Sequence, residues 1–185
     1  MPLAVKSAVK FDVPRSSVPL GTGSSHKRED HMNTQEKWMK EAIKQAKKAY
    51  EKDEVPIGCV IVKDNKIIAR GYNKREMLQQ SYAHAEMIAI QKACKKLNTW
   101  RLEECDLYVT LEPCPMCAGA IIQSRIRNVY YGASDFKGGS VKTCIQLFDI
   151  KQYNHHPSYV SGICEQECAQ LLKTFFKNKR NKNKS

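Results

Sequence analysis

The chain has 185 residues, enough to bury one substantial core, and 42% of them are hydrophobic, but no apolar run approaches the ~20 residues that cross a bilayer. That excludes a membrane-spanning helix, and eight cysteines without signal-peptide architecture read as reduced thiols in a cytoplasmic protein rather than as a secreted disulfide framework. A formal net charge of +12 points to polyanionic partners and says little about fold.

Residues 1–32 hold scattered prolines, a Gly-Thr-Gly-Ser-Ser run and a His-Lys-Arg-Glu-Asp cluster without sustained periodicity. They read as a disordered leader or as sequence added for expression, and residues 33–185 read as one domain. Asn33, with Glu36 in capping-box spacing, opens a helix; Met39, Ala42, Ile43, Ala46, Ala49 and Tyr50 form its apolar stripe, and it ends before Pro56. Residues 57–62 and 66–72 are β-rich runs joined by a turn at Asp64-Asn65, a hairpin. A helix over 84–97 is expected to bury Met87, Ile88, Ile90, Ala93, Cys94 and Leu97. A strand at 105–111, a helix at 115–125 and a strand at 127–132 follow, an order that predicts a right-handed parallel crossover. A short helix within 140–150, a strand at 158–163 and a helix over 165–179 complete the chain. Lys173, Lys177, Lys179, Arg180, Lys182 and Lys184 make its end basic. The whole predicts an α/β/α sandwich of three layers around a mixed five-stranded sheet.

Two runs carry the chemistry: Ala83-His84-Ala85-Glu86 and Pro113-Cys114-Pro115-Met116-Cys117. A catalytic zinc takes three protein ligands and keeps a fourth position open, and His84, Cys114 and Cys117 supply such a set. Cys114 and Cys117 lie three apart, so a helix beginning near Pro115 turns both sulfurs toward one point. His84 and Glu86 lie two apart, roughly 200° around a helix, and share a site only at a helix's beginning. Both runs therefore read as helix N-termini, where the dipole favours thiolates. Glu86 is left over as a carboxylate beside the metal, suited to carrying protons. A lone C-x-x-C also fits a redox pair or half of a structural site, for which Cys105 is the nearest further thiol. Glu112 reads as orienting its loop, and Cys59, Cys94, Cys105, Cys144, Cys164 and Cys168 as buried thiols.

The order H-x-E…P-C-x-x-C is the signature of zinc nucleobase deaminases. Together with Glu54-Val55-Pro56-Ile57-Gly58, Tyr108-Val109-Thr110-Leu111-Glu112 and Phe175-Phe176-Lys177, it makes about residues 33–180 resemble the bacterial tRNA-specific adenosine deaminases. The resemblance implies a cytidine-deaminase-like fold, one Zn2+ per subunit, a homodimer in the cytoplasm, and conversion of adenosine to inosine at the wobble position of an arginine tRNA. The partner it implies is the tRNA anticodon stem-loop. Zinc would lower the pKa of a bound water, and Glu86 would carry protons to the ring nitrogen and to departing ammonia. The resemblance further assigns Asn73 to the flipped base and Ile57 to the pocket. It sets Asp135 and Lys137 against the nucleic-acid backbone, and Arg75 and Phe175 against flanking nucleotides. The chain departs from the family at Asn154-His155-His156-Pro157, which supplies no arginine, and at Ser81-Tyr82 before the H-A-E run. Two other functions compete: a free-base or nucleoside deaminase acting on guanine, cytosine or cytidine, and a catalytically silent zinc-stabilised RNA-binding subunit. An intact Glu86 argues against the second.

Overall fold

Helix α1 (Ser25–Glu51) lays Trp38, Met39, Ala42, Ile43, Ala46 and Ala49 into the core. The structure, a computed structural model, describes residues 25–182, with side chains from residue 34 onward. Of the leader expected over residues 1–32, residues 1–24 lie outside the described residues, as do the last three residues of the basic tail, and residues 25–32 are helical rather than a separate disordered segment. The helix starts at Ser25 rather than Asn33, because no glycine or proline interrupts the stretch between. The Asn33–Glu36 spacing therefore falls inside a helix.

Strands β1 (Gly58–Lys63) and β2 (Lys66–Tyr72) pair antiparallel across a tight turn whose central residues Asp64 and Asn65 have φ 49° and 56°. Both are residue types that tolerate this left-handed backbone, the twist a two-residue hairpin needs. A short helix, α2 (Arg75–Leu78), follows; it buries no side chain, so the sequence offered no apolar period to find it by. Then come α3 (Ala85–Leu97), β3 (Asp106–Leu111), α4 (Pro115–Gln123), β4 (Asn128–Ala133), β5 (Ser158–Val160) and α5 (Glu165–Lys182). The sheet has five strands in the order β2-β1-β3-β4-β5, antiparallel around β1 and parallel from β3 to β5, the mixed sheet expected.

Alternation along the strands builds two cores. Val60, Val62, Tyr108 and Tyr130 face α1 and α5, whereas Cys59, Ile61, Leu107, Val109, Val129 and Tyr131 face α3 and α4. Two glycines set how closely helices approach. A Cβ at Gly58 would strike the Ala42 carbonyl of α1, and one at Gly71 the Ala85 carbonyl of α3. Helix α3 packs through Ala85, Ala89, Ile90 and Ala93. Met87, Ile88, Cys94 and Leu97, expected inside, are only half-buried, because small residues let the helix lie flat on β2.

Three other expectations are corrected. No helix fills 140–150 beyond a single 3-10 turn at Leu147–Asp149. The N–H groups of Val141, Lys142 and Thr143 donate to the Glu112 carboxylate instead of to helical carbonyls. The last strand stops at Val160, before Gly162 at φ 84°. Cys144 is exposed, and Cys94 and Cys164 are half-buried rather than buried; all eight cysteines are free. Among the described residues no helix is long and apolar enough to cross a membrane.

Candidate active site

Helices α3 and α4 begin side by side on one face of the sheet. His84 is the residue capping α3, with φ −76° and ψ 157°, and Cys114 caps α4, with φ −74° and ψ 171° and Pro115 in the first helical position. Both motifs are thus helix starts, where extended backbone throws the side chain forward of the first turn. Cys117, one turn into α4, is fully buried.

The His84 Nδ1 atom lies 3.7 Å from Cys114 Sγ and 3.6 Å from Cys117 Sγ, and all three donor atoms fall within 4.8 Å of one another. A tetrahedral zinc with ordinary Zn–N and Zn–S bonds separates nitrogen from sulfur by about 3.6 Å, so the donors already occupy three corners of such a site. Cys105 is not in this cluster. It is buried at the entry to β3, and among the described residues no fourth thiol joins the cluster.

Proton placement in the cluster follows from contact. The Cys117 thiol faces Cys114, and with the His84 ring on its other side Cys114 is held down to about 4. Cys117, keeping its proton beside a thiolate and under burial, is pushed far up. The hydrogen bond with Cys114 raises His84. Bound by His84, Cys114 and Cys117, a cation of zinc's kind would take the place of the thiol proton, since all three donors accept positive charge.

Glu86 sits in the first turn of α3, 4% exposed. Burial pushes its carboxyl up to about 7, with the neighbouring Cys114 thiolate adding to the shift. Its Oε2 atom is buried and receives no hydrogen bond from the described chain, so the carboxylate keeps a lone pair for a ligand. A buried carboxyl that titrates near neutrality beside three metal donors is equipped to take up and release a proton.

Beside this centre, Asn73 is 5% exposed and its N–H donates to the Ile57 carbonyl (3.0 Å), while Ile57 itself is half-buried. These two sequence-predicted residues are therefore neighbours at the ends of β1 and β2. Asp135 and Lys137 lie on the loop after β4. Asp135 Oδ1 accepts from the Lys137 N–H (3.0 Å), and the Lys137 side chain is exposed. Glu112, 2% exposed, holds this loop. It accepts from the N–H groups of Asp135 (3.2 Å), Val141 (3.1 Å), Lys142 (2.7 Å) and Thr143 (3.0 Å), and from the Thr143 hydroxyl (2.8 Å). Burial opposes its ionisation, yet these donors keep its carboxyl below the usual value. The loop-orienting role read for Glu112 is what the structure displays.

The flanking candidates divide. Arg75 is exposed and pairs with Glu76 beside it (3.2 Å). Phe175 is buried, packed edge-on against Tyr50 at 5.7 Å, and the ring facing out is Phe176, 44% exposed. Between the 134–139 loop and α5 runs a groove of about 670 Å³, lined by Leu111, Asp135, Lys137, Lys173, Phe176 and Arg180. Helical periodicity does not say which of two adjacent phenylalanines faces a core, so Phe176 was not distinguishable in sequence. Glu54 was not singled out either; it is buried and accepts from Asn73, a partner nineteen positions away. His155 and His156 donate to the carbonyls of Ile126 (2.7 Å) and Phe148 (2.8 Å), and both brace the chain before β5.

Comparison with known proteins adds the following. The family model of MafB19-like deaminases matches residues 32–180. A tRNA-specific adenosine deaminase of Bacillus subtilis (strain 168) is 54% identical over 154 residues, covering 83% of this chain and 96% of that protein. A solved structure from a study of A-to-I editing by tRNA:A34 deaminases at the wobble position of transfer RNA is 47% identical. It superposes with a TM-score of 0.71, covering 73% of this chain and 98% of that one. The guanine deaminase from Bacillus subtilis is 35% identical with a TM-score of 0.52, over 60% of this chain and 81% of that one.

Proposed function

The chain belongs to the deaminase family that contains the bacterial tRNA-specific adenosine deaminases, and on that premise we propose that it hydrolyses adenosine to inosine at the wobble position of a tRNA, an arginine tRNA by resemblance. The observation that carries the reading is Glu86: a buried carboxylate with one unpartnered oxygen, beside three donors set at zinc spacing. His84, Cys114 and Cys117 would hold one Zn2+ per chain, and bound there it supplies Lewis-acid activation of water near neutral pH. Glu86 takes the proton of the attacking water, delivers it to the purine ring nitrogen, and transfers another to the departing ammonia. Asn73 and Ile57 bound the pocket that receives the base.

Substrate choice rests on what surrounds that pocket. An adenine inside a stacked helix cannot reach the donors, so an unpaired loop nucleotide is the reachable form. The groove beside Asp135 and Lys137 offers apolar floor, an exposed ring at Phe176 and cations at Lys173 and Arg180, a surface for backbone phosphates and unstacked bases. Phe176, rather than the buried Phe175, is the ring placed to meet a flanking nucleotide. A free base would make no use of this groove.

A second copy of the chain is the partner proposed for the surface of α2 and α3. Leu78, Tyr82, Met87 and Ile88 border an apolar groove of about 310 Å³ there, with Met77 exposed beside it. Sedimentation of the purified protein should then give a dimer, and a monomer carrying full activity would remove the partner. The cytoplasm is the compartment proposed, by the relatives' substrate. The reading as a whole is tested by incubating the zinc-loaded protein with total tRNA and analysing the nucleosides. Inosine is expected; its absence alongside turnover of free guanine would favour the guanine-deaminase alternative.

A further inference from the structure

Glu54 is a carboxylate that the proposed chemistry does not use, 1% exposed at the end of the turn leaving α1. It reaches across the sheet end to three donors: the N–H of Met77 (2.6 Å), the N–H of Glu76 (3.2 Å) and the side-chain amide nitrogen of Asn73 (3.3 Å). A carboxylate can only accept. Asn73 must therefore turn its NH2 toward Glu54 and its Oδ1 away, and no described residue donates to that Oδ1. The amide orientation is set by chemistry.

Asn73 stands where that orientation matters. It follows β2 two residues after Gly71, which lies against the Ala85 carbonyl at the start of α3, and its backbone pairs with Ile57. The N–H of Lys74, the next residue, donates to the Ala83 carbonyl (2.9 Å), which brings this segment beside the turn that carries His84 and Glu86. Resting on the reading that Asn73 contacts the base, we propose that Glu54 is a positioning residue that locks the Asn73 amide, so that one acceptor and one remaining N–H meet the base in fixed order. That pair matches the N–H donor and ring-nitrogen acceptor side by side on adenine, and mismatches the two acceptors on guanine. The same carboxylate holds the first N–H groups of α2, so the amide is braced against an element rather than a loose side chain.

The test is a double-mutant cycle on the zinc-loaded protein with an anticodon stem-loop, read as kcat/KM beside zinc content and thermal unfolding. Asn73→Ala is expected to lower kcat/KM roughly 10–100-fold, the range for losing a hydrogen bond to a substrate group. Glu54→Gln is expected to do likewise at retained zinc, because Gln brings its own donors against the Asn73 NH2. In the Asn73→Ala background it should add nothing. If Asn73→Ala is as active as the parent, the base contact fails and the inference with it. If Asn73→Ala loses activity but Glu54→Gln does not, or the two losses add, the base contact stands and the positioning role is overturned. Asn73→Asp carries the test without touching position 54. Its carboxylate would face the Glu54 carboxylate, so it should fall below Asn73→Ala, and equal activity of the two overturns the inference.

Discussion

Replacing Glu86 by Ala removes a buried carboxylate but none of the three clustered donors, so zinc content should stay at the parent's level while kcat falls roughly 10²–10⁴-fold. Steady-state kinetics beside metal analysis checks both halves; retained turnover would move the proton-carrying role to another group. The complementary change, Cys114→Ala with Cys117→Ala, leaves His84 alone and should lose zinc altogether, measured as metal per chain after dialysis. Full zinc occupancy in that variant would contradict the ligand set. At this scale much of the centre was legible in the sequence. His84, Glu86, Cys114 and Cys117 fall in two short runs whose spacing only makes sense at helix starts, and the structure has His84 and Cys114 capping α3 and α4. Glu54 was not legible as a partner of Asn73. Its hydrogen bond joins a turn to a strand end, and no local spacing encodes a contact made by the sheet's closure. Phe175 and Phe176 show the same limit, since which ring is buried depends on where Tyr50 lies.

The loop after β4 is held mainly by the Glu112 side chain. Removing the Glu112 carboxylate would leave four backbone N–H groups without their acceptor, while the Thr143 hydroxyl would keep the Asp135 carbonyl (2.7 Å). Glu112→Ala should therefore cost about 2–4 kcal/mol in urea unfolding. Because Asp135 and Lys137 ride on the loop, KM for RNA should rise more than kcat falls. An unchanged KM in a folded Glu112→Ala protein would separate the loop from substrate binding. Gly139 shows how tightly this is built, since a Cβ there would strike both Thr143 and the Glu112 carboxylate. Some elements with an apolar period were legible to within a residue or two, such as β2 at Lys66–Tyr72 and α3 at Ala85–Leu97, whereas α1 begins at Ser25, well before the Asn33 expected. The helix expected within 140–150 failed because a buried carboxylate takes its N–H groups, a competition that residue pattern does not record. Helix α2 escaped because four exposed residues make no period.

Charge acts on the molecule as a whole. A net charge of +12 raises encounter with any polyanion, but the groove between the 134–139 loop and α5 would give it a place to act. The mixed five-stranded sheet and its helical layers followed from the strand and helix pattern, whereas the strand order and the groove did not, because the groove's walls are the loop after β4 and α5, which only the fold sets side by side. Lys179 is partly engaged with Asp53 (2.9 Å), which leaves Lys137, Lys173 and Arg180 as the cations facing the groove. Each Ala replacement at these three should reduce the slope of log kcat/KM against log salt by about 1, measured at subsaturating RNA. The Lys179→Ala variant should change it less. Equal slopes in all variants would place the phosphates elsewhere. The most direct measurement compares three substrates under one condition: an anticodon stem-loop with adenosine at the wobble position, free adenosine and free guanine. The expected result is stoichiometric inosine and ammonia from the stem-loop, abolished in Glu86→Ala, with little turnover of the free compounds; efficient guanine turnover with no inosine in the stem-loop would contradict it.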